Sequence, residues 1–135
     1  MISKISILLI EEDLPLQQSL AHIFRRVGFT VVSASPNLNA LSILAGYPFD
    51  LIVLGQNQSC DHGLSLFFRI KKDYPLMPVI LLSANPETDA IPGLNEEKAW
   101  MIIRKPFEPG FLLNSISAIM GGALKRNSQL LGVGR

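Results

Sequence analysis

A single cysteine, Cys60, in a chain of 135 residues leaves no internal disulfide to form. The fold must therefore be held by a core, and a lone thiol fits a reducing cytoplasm. Charge is scarce as well: Asp, Glu, Lys and Arg make up 17% of the residues and nearly cancel, 12 basic against 11 acidic. No stretch gathers the basic residues that a phosphate backbone demands, which excludes nucleic acid as the ligand of this segment. The start of the chain lacks the basic segment and long apolar stretch of an export signal. Its longest apolar run, residues 7–10, is far short of the ~20 residues that cross a bilayer. Internal repeats and low-complexity tracts are missing too.

What is present is apolar. Hydrophobic residues make up 48% of the chain, which argues for a globular protein and against disorder. The length suits one domain, hiding roughly two-thirds of its unfolded surface.

Five short runs rich in branched residues occur at 5–10, 30–33, 51–54, 79–82 and 101–103. They lack the in/out alternation of a sheet with one wet face, which predicts strands buried on both sides, as in a parallel sheet. Helical spacing fills the gaps. One helix starts near Pro15, carries Leu16, Leu20, Ile23, Phe24 and Val27, and stops at Gly28. A second follows a cap and first-turn pair at Ser35-Pro36, carries Leu38, Leu41 and Ala45, and ends at Gly46. A third runs from about Gly63 through Leu64, Phe67, Phe68 and Lys71 to Tyr74-Pro75. A last one starts near Glu108-Pro109 and holds Phe111, Leu112, Ile116, Ile119 and Met120. Over residues 87–98, Pro92 and Gly93 predict a short or broken helix, since proline costs ~3 kcal/mol and glycine ~1 in a helix interior. Strands alternating with helices through right-handed crossovers make a doubly wound α/β sheet with helices on both faces. Residues 125–135 lack periodicity and read as a tail or linker.

In an open parallel sheet, ligands bind beyond the carboxyl ends of the strands, where the strand order reverses. Four of the strands are followed by Glu11-Glu12-Asp13, Gly55-Gln56-Asn57, Ser83-Ala84 and Lys105-Pro106. An acid cluster, a hydroxyl and an amine would meet at one end. With Ile7-Leu8-Leu9-Ile10 before the acids, Asp50-Leu51-Ile52-Val53-Leu54, Gly63-Leu64, Pro78-Val79-Ile80-Leu81-Leu82 and Lys105-Pro106-Phe107, the chain resembles the receiver domains of bacterial response regulators, the CheY-like family. The resemblance covers about residues 4–124 and implies a five-stranded parallel sheet of strand order 2-1-3-4-5.

It also implies a chemistry. In that family a strand-three aspartate takes a phosphoryl group from a histidine kinase, beside a magnesium ion held by the acid pair. A Ser or Thr after strand four bonds the phosphoryl oxygens, and the lysine offsets their charge. By resemblance those roles fall on Glu11, Glu12, Ser83 and Lys105, with Lys105-Pro106 as the family's cis peptide.

The position matching the phosphoacceptor, however, is Gly55, which has no nucleophile. Asp50 lies ~16 Å away at the other end of the strand, and placement to about an ångström argues against Asp61 in the next loop. Of the implied magnesium ligands, Glu12 and the Asn57 carbonyl remain while one carboxylate is missing, so Mg2+ is expected to bind weakly or not at all. Ile102 stands where the family has the aromatic half of its switch, Ser59-Cys60 replaces Pro-Gly, and His62 stands where an acid often precedes Gly63. Lys105, without an acceptor, is expected to pair with Glu11 or Glu12. The acids also have a plainer reading as a solvated loop with Asp13 capping the first helix, and Ser83 as a strand-end cap. Cys60, His62 and Glu12 offer too few soft ligands for zinc. Trp100, Phe67 and Phe68 read as core, and His22 as surface.

The functional expectation is a receiver-like signalling module, not an enzyme, that has lost its phosphoacceptor and acts by protein contact. Residues 91–94 and 101–103 lie on the side where the family docks partners. Those partners would be a histidine kinase or an output domain, with a homodimer as a further option and neither nucleic acid nor membrane. No cofactor is required. Two other readings are carried: a phosphorelay receiver using a neighbouring carboxylate or His62, and a flavodoxin-like binder of a small ligand. The second is disfavoured by three acids after strand one, which repel phosphate. Gly55→Asp alone is expected to restore metal binding more fully than switching.

Overall fold

The structure, a computed structural model, describes residues 5–56, 62–84 and 101–121. In chain order the elements are β1 (Ser6–Ile10), α1 (Leu14–Arg26), β2 (Thr30–Ala34), α2 (Leu38–Gly46), β3 (Leu51–Gln56), α3 (His62–Asp73), β4 (Val79–Ser83), β5 (Met101–Arg104) and α4 (Pro109–Ile119). The five strands form one sheet in the order β2-β1-β3-β4-β5, every pair parallel. The expected broken helix over 87–98, Trp100, and the tail at 125–135 lie outside the described residues.

Alternation along the strands divides the core in two. Ile7 and Leu9 of β1, Leu51 and Val53 of β3, and Ile80 and Leu82 of β4 face Phe24 of α1 and Leu112 and Ile116 of α4. Leu8 and Ile10, Ile52 and Leu54, and Val79 and Leu81 face Leu44 of α2 and Phe67 and Ile70 of α3. Because both faces are covered, β3 and β4 are buried at every position, which is why their sequences run apolar almost without a break. The edge strands differ: β2 and β5 each leave an end residue, Thr30 and Arg104, in solvent.

Local chemistry sets the helix ends. Asp13 caps α1, its Oδ1 accepting from the Leu16 N–H at 3.2 Å, and Pro15 sits in the first turn, where its missing N–H costs nothing. Gly28 ends the helix at φ 102°, in the region that side chains avoid. Val27, expected on the apolar face, instead forms the C-cap and is exposed, and so is Phe111 at the start of α4. The second helix starts two residues later than Ser35-Pro36 suggests. The Asn37 Oδ1 accepts from the Asn39 N–H at 2.9 Å and makes Asn37 the cap.

One difference bears on the site. The third strand runs on through Gly55 and Gln56, which pair with Leu82 and Ser83 of β4, so Gly55 is part of the ladder and not of the loop after it. Its backbone has ordinary strand geometry; among the described glycines, positive φ is found at Gly28.

Candidate functional site

At the carboxyl end of β1, Glu11 continues the ladder by donating its N–H to the Ala34 carbonyl at 3.0 Å. The Gln17 side chain, one turn into α1, donates to the carbonyls of Glu11 (2.9 Å) and Ala34 (3.1 Å), clamping the ends of β1 and β2 to the helix. This fixed backbone turns the Glu11 side chain inward, where it has no solvent exposure.

Both carboxylate oxygens are engaged. Oε2 accepts from the Asp13 N–H at 2.9 Å, and Oε1 accepts from Lys105 Nζ at 2.8 Å. The lysine is placed by its own backbone N–H, which donates to the Ser83 carbonyl at 2.7 Å and extends β5 alongside β4. The bond that follows, Lys105–Pro106, is cis, as the resemblance implies. The lysine side chain keeps 14% exposure, against none for the carboxylate. Two opposite charges this poor in water are tolerated because they meet.

Gly55 lies against this pair. A Cβ built on it would overlap Oε1 of Glu11 and stand 2.7 Å from Cδ and 3.1 Å from Oε2. The Glu11 carboxylate thus occupies the space into which any side chain at 55 would grow.

Ser83, also buried, donates through a long 3.4 Å contact to Oε1 of Gln56 across the β3–β4 pair. Glu12 and Asp13 are exposed, and Asp13 is the acid that caps α1. Asn57, Cys60, Asp61 and the His62 side chain lie outside the described residues. Ile102 is partly buried against the α2–α3 side of the core. Among the described residues, no three His, Cys, Asp or Glu side chains are grouped so as to hold a metal. Asp50 is at the far end of the sheet, where its Oδ2 accepts from the Ser6 N–H at 2.8 Å. A groove of about 460 Å3 lined by Phe49, Asp50, Tyr74 and residues 75–78 lies at that far end as well.

The expected partnership of Lys105 with an acid is present, with Glu11. Two residues that hold the site together were not singled out by sequence reasoning. Gln17 had a legible signal, a polar residue one turn before Ala21 on the inward stripe of α1. Gln56, almost fully buried, carried only its place at a strand end.

A parallel sheet of this strand order, with an acid and a lysine joined at its carboxyl edge, defines a doubly wound α/β domain of the receiver type. Residues 7–117 match the response regulator receiver domain, and the chain belongs to that family, a component of two-component signalling. It is 36% identical over 115 residues to Protein PetR of Rhodobacter capsulatus, spanning 84% of this chain and 48% of that one. It is 32% identical over 108 residues to a putative NtrX-like response regulator of Rickettsia bellii, spanning 78% of this chain and 22% of that one. The chain spans between about a fifth and just over half of the length of the first curated relatives it matches. In fold it is similar to a CheY-like receiver domain protein of Methanospirillum hungatei, with a TM-score of 0.79 at 24% identity over 92% of this chain and 99% of that one. NtrX of Brucella abortus gives 0.77 at 24% identity, covering 96% of this chain and 30% of that one. No described helix is long and apolar enough to cross a membrane.

Proposed function

We propose that this receiver domain works in the cytoplasm by protein contact, without taking a phosphoryl group. The observation that carries this reading is the Glu11 carboxylate standing over Gly55 and bonded to Lys105. Phosphoryl transfer to a receiver needs a carboxylate nucleophile placed in line and a cation left to meet the incoming charge. Position 55 supplies no carboxylate, and Lys105 already faces an anion built into the chain. The donor set is also a poor fit for magnesium. Glu11 is turned onto Lys105 and the Asp13 N–H, Gly55 has no side-chain oxygen to offer, and Asp13 is engaged in the α1 cap. Contact with a histidine kinase or an output domain is the mode of signalling left to such a domain, with β5 and the segment before it as the docking side.

Treatment with acetyl phosphate and magnesium, followed by intact mass, tests this. The mass is expected to stay unchanged. Addition of ~80 Da that is lost in base, the mark of an acyl phosphate, would overturn the reading and point to another acceptor in the chain.

A further inference from the structure

We propose that the open edge of β2 is a docking surface for the same edge of a second copy of this chain, with Arg25 as the side chain that holds it partly shut. The surface lies at the opposite edge of the sheet from β5, so it is separate from the docking side at β5 and does not depend on it.

The register shows which groups are on offer. β2 runs parallel to β1, with Thr30 opposite Ser6 and Ala34 opposite Ile10. The Thr30 N–H donates to the Ile5 carbonyl and the Ala34 carbonyl accepts from the Glu11 N–H. Thr30, Val32 and Ala34 therefore direct their backbone groups at β1, and in a parallel ladder the residues between them face the other way. The N–H and carbonyl of Val31 and of Ser33 thus point out of the sheet at its open edge. One of these groups is held: the Val31 carbonyl accepts from a guanidinium nitrogen of Arg25 at 3.1 Å. Arg25 is an exposed residue in the last turn of α1.

The occupant follows from this pattern. A two-fold axis at Val32 sets Val31 opposite Ser33 of the second copy in an antiparallel pair. The Val31 N–H then donates to that Ser33 carbonyl and the Val31 carbonyl accepts from that Ser33 N–H, the exchange of a hydrogen-bonded antiparallel pair. The axis repeats the exchange at Ser33, so each outward group of the edge finds its complement in its own image. Natural edge strands are commonly kept apart by charges of their own. Residues 27–49 carry no Asp, Glu, Lys, Arg or His, so no charge along β2 or α2 repels an identical edge. Arg25 is the obstacle, because it holds the carbonyl that the second copy's Ser33 N–H needs. A strand of five residues also buries less than the ~1,200 Å2 of a stable interface, so the association is weak and reversible.

Sedimentation equilibrium and backbone amide shifts of the whole chain, from micromolar to millimolar concentration, test this. The native chain is expected to be monomeric at the low end and to dimerise at the high end. Concentration-dependent shifts are expected to be strongest at the outward amides of Val31 and Ser33 and weaker at Val32, whose N–H stays on β1. Arg25→Ala frees the Val31 carbonyl and is expected to tighten dimerisation by about fivefold or more, the effect of releasing one modest hydrogen bond per copy. Ser33→Pro added to Arg25→Ala removes an outward donor while sparing the bonds to β1, and is expected to return the chain to monomer. Equal association of the native and Arg25→Ala chains, or none in either, would overturn the proposal. Dimerisation that leaves the Val31 and Ser33 amides unmoved would overturn it too, and this readout decides the matter even where the proline variant does not fold.

Discussion

At Lys105 and Glu11, charge and space are decided together. The pair is joined across 94 positions of sequence, and its carboxylate stands where a side chain at 55 would stand. A hard cation such as magnesium needs several oxygen ligands with uncommitted charge. Of the three acids after β1, Glu11 is bonded to Lys105 and Asp13 caps α1, so two of the three carboxylates already have partners within the chain. Magnesium titration followed by backbone amide shifts is therefore expected to show binding at best in the high-millimolar range. Sub-millimolar affinity centred on residues 11–13 would contradict the donor arrangement. That position 55 carries no carboxylate was legible in the sequence, since glycine has no side chain. Which acid meets Lys105 was not, because Glu11 and Glu12 are chemically alike and differ only in which side of the strand end they leave.

The helices and strands show how far local pattern reaches. Periodicity and punctuation located four helices and five strands among the described residues, since apolar spacing, proline in a first turn and glycine past a last turn act within a few residues. Boundaries strayed where a side chain outside the pattern intervened, as with Asn37 capping α2 in place of Ser35. They strayed again where pairing with a neighbour extended a strand, as with Gly55 and Gln56 against β4. The cap of α1 gives a test at this scale. Asp13→Ala removes the acceptor for the Leu16 N–H and is expected to cost about 1 kcal/mol in urea denaturation. The Glu11 contact to the backbone N–H of residue 13 survives that change, so the ion pair with Lys105 is left in place. A loss above about 3 kcal/mol, beyond the usual range for a cap, would mean that this side chain also holds the acid loop.

Over the whole molecule, one sheet is shared by two apolar layers. Phe24 anchors the α1–α4 side and Phe67 the α2–α3 side, each without exposure. Truncation of either to alanine is expected to cost about 3–5 kcal/mol, a large part of the stability of a domain of this size. Because every central strand contributes side chains to both layers, the two variants are expected to unfold in one cooperative transition by far-UV circular dichroism and by heat-capacity measurement. A second transition in either variant would show the layers to be separable.

The sequence by itself determined the class of the fold, since buried parallel strands and amphipathic helices are written in residue spacing. It also determined that position 55 carries no carboxylate, because no fold can supply a side chain that glycine lacks. The tertiary structure alone decided what fills that place. Only when β1, β3 and β5 are brought into one sheet does Glu11 come over Gly55 and within reach of Lys105. Such contacts join residues far apart in the chain, and they are set by strand register, by the Gln17 clamp and by the cost of burying a charge without its opposite.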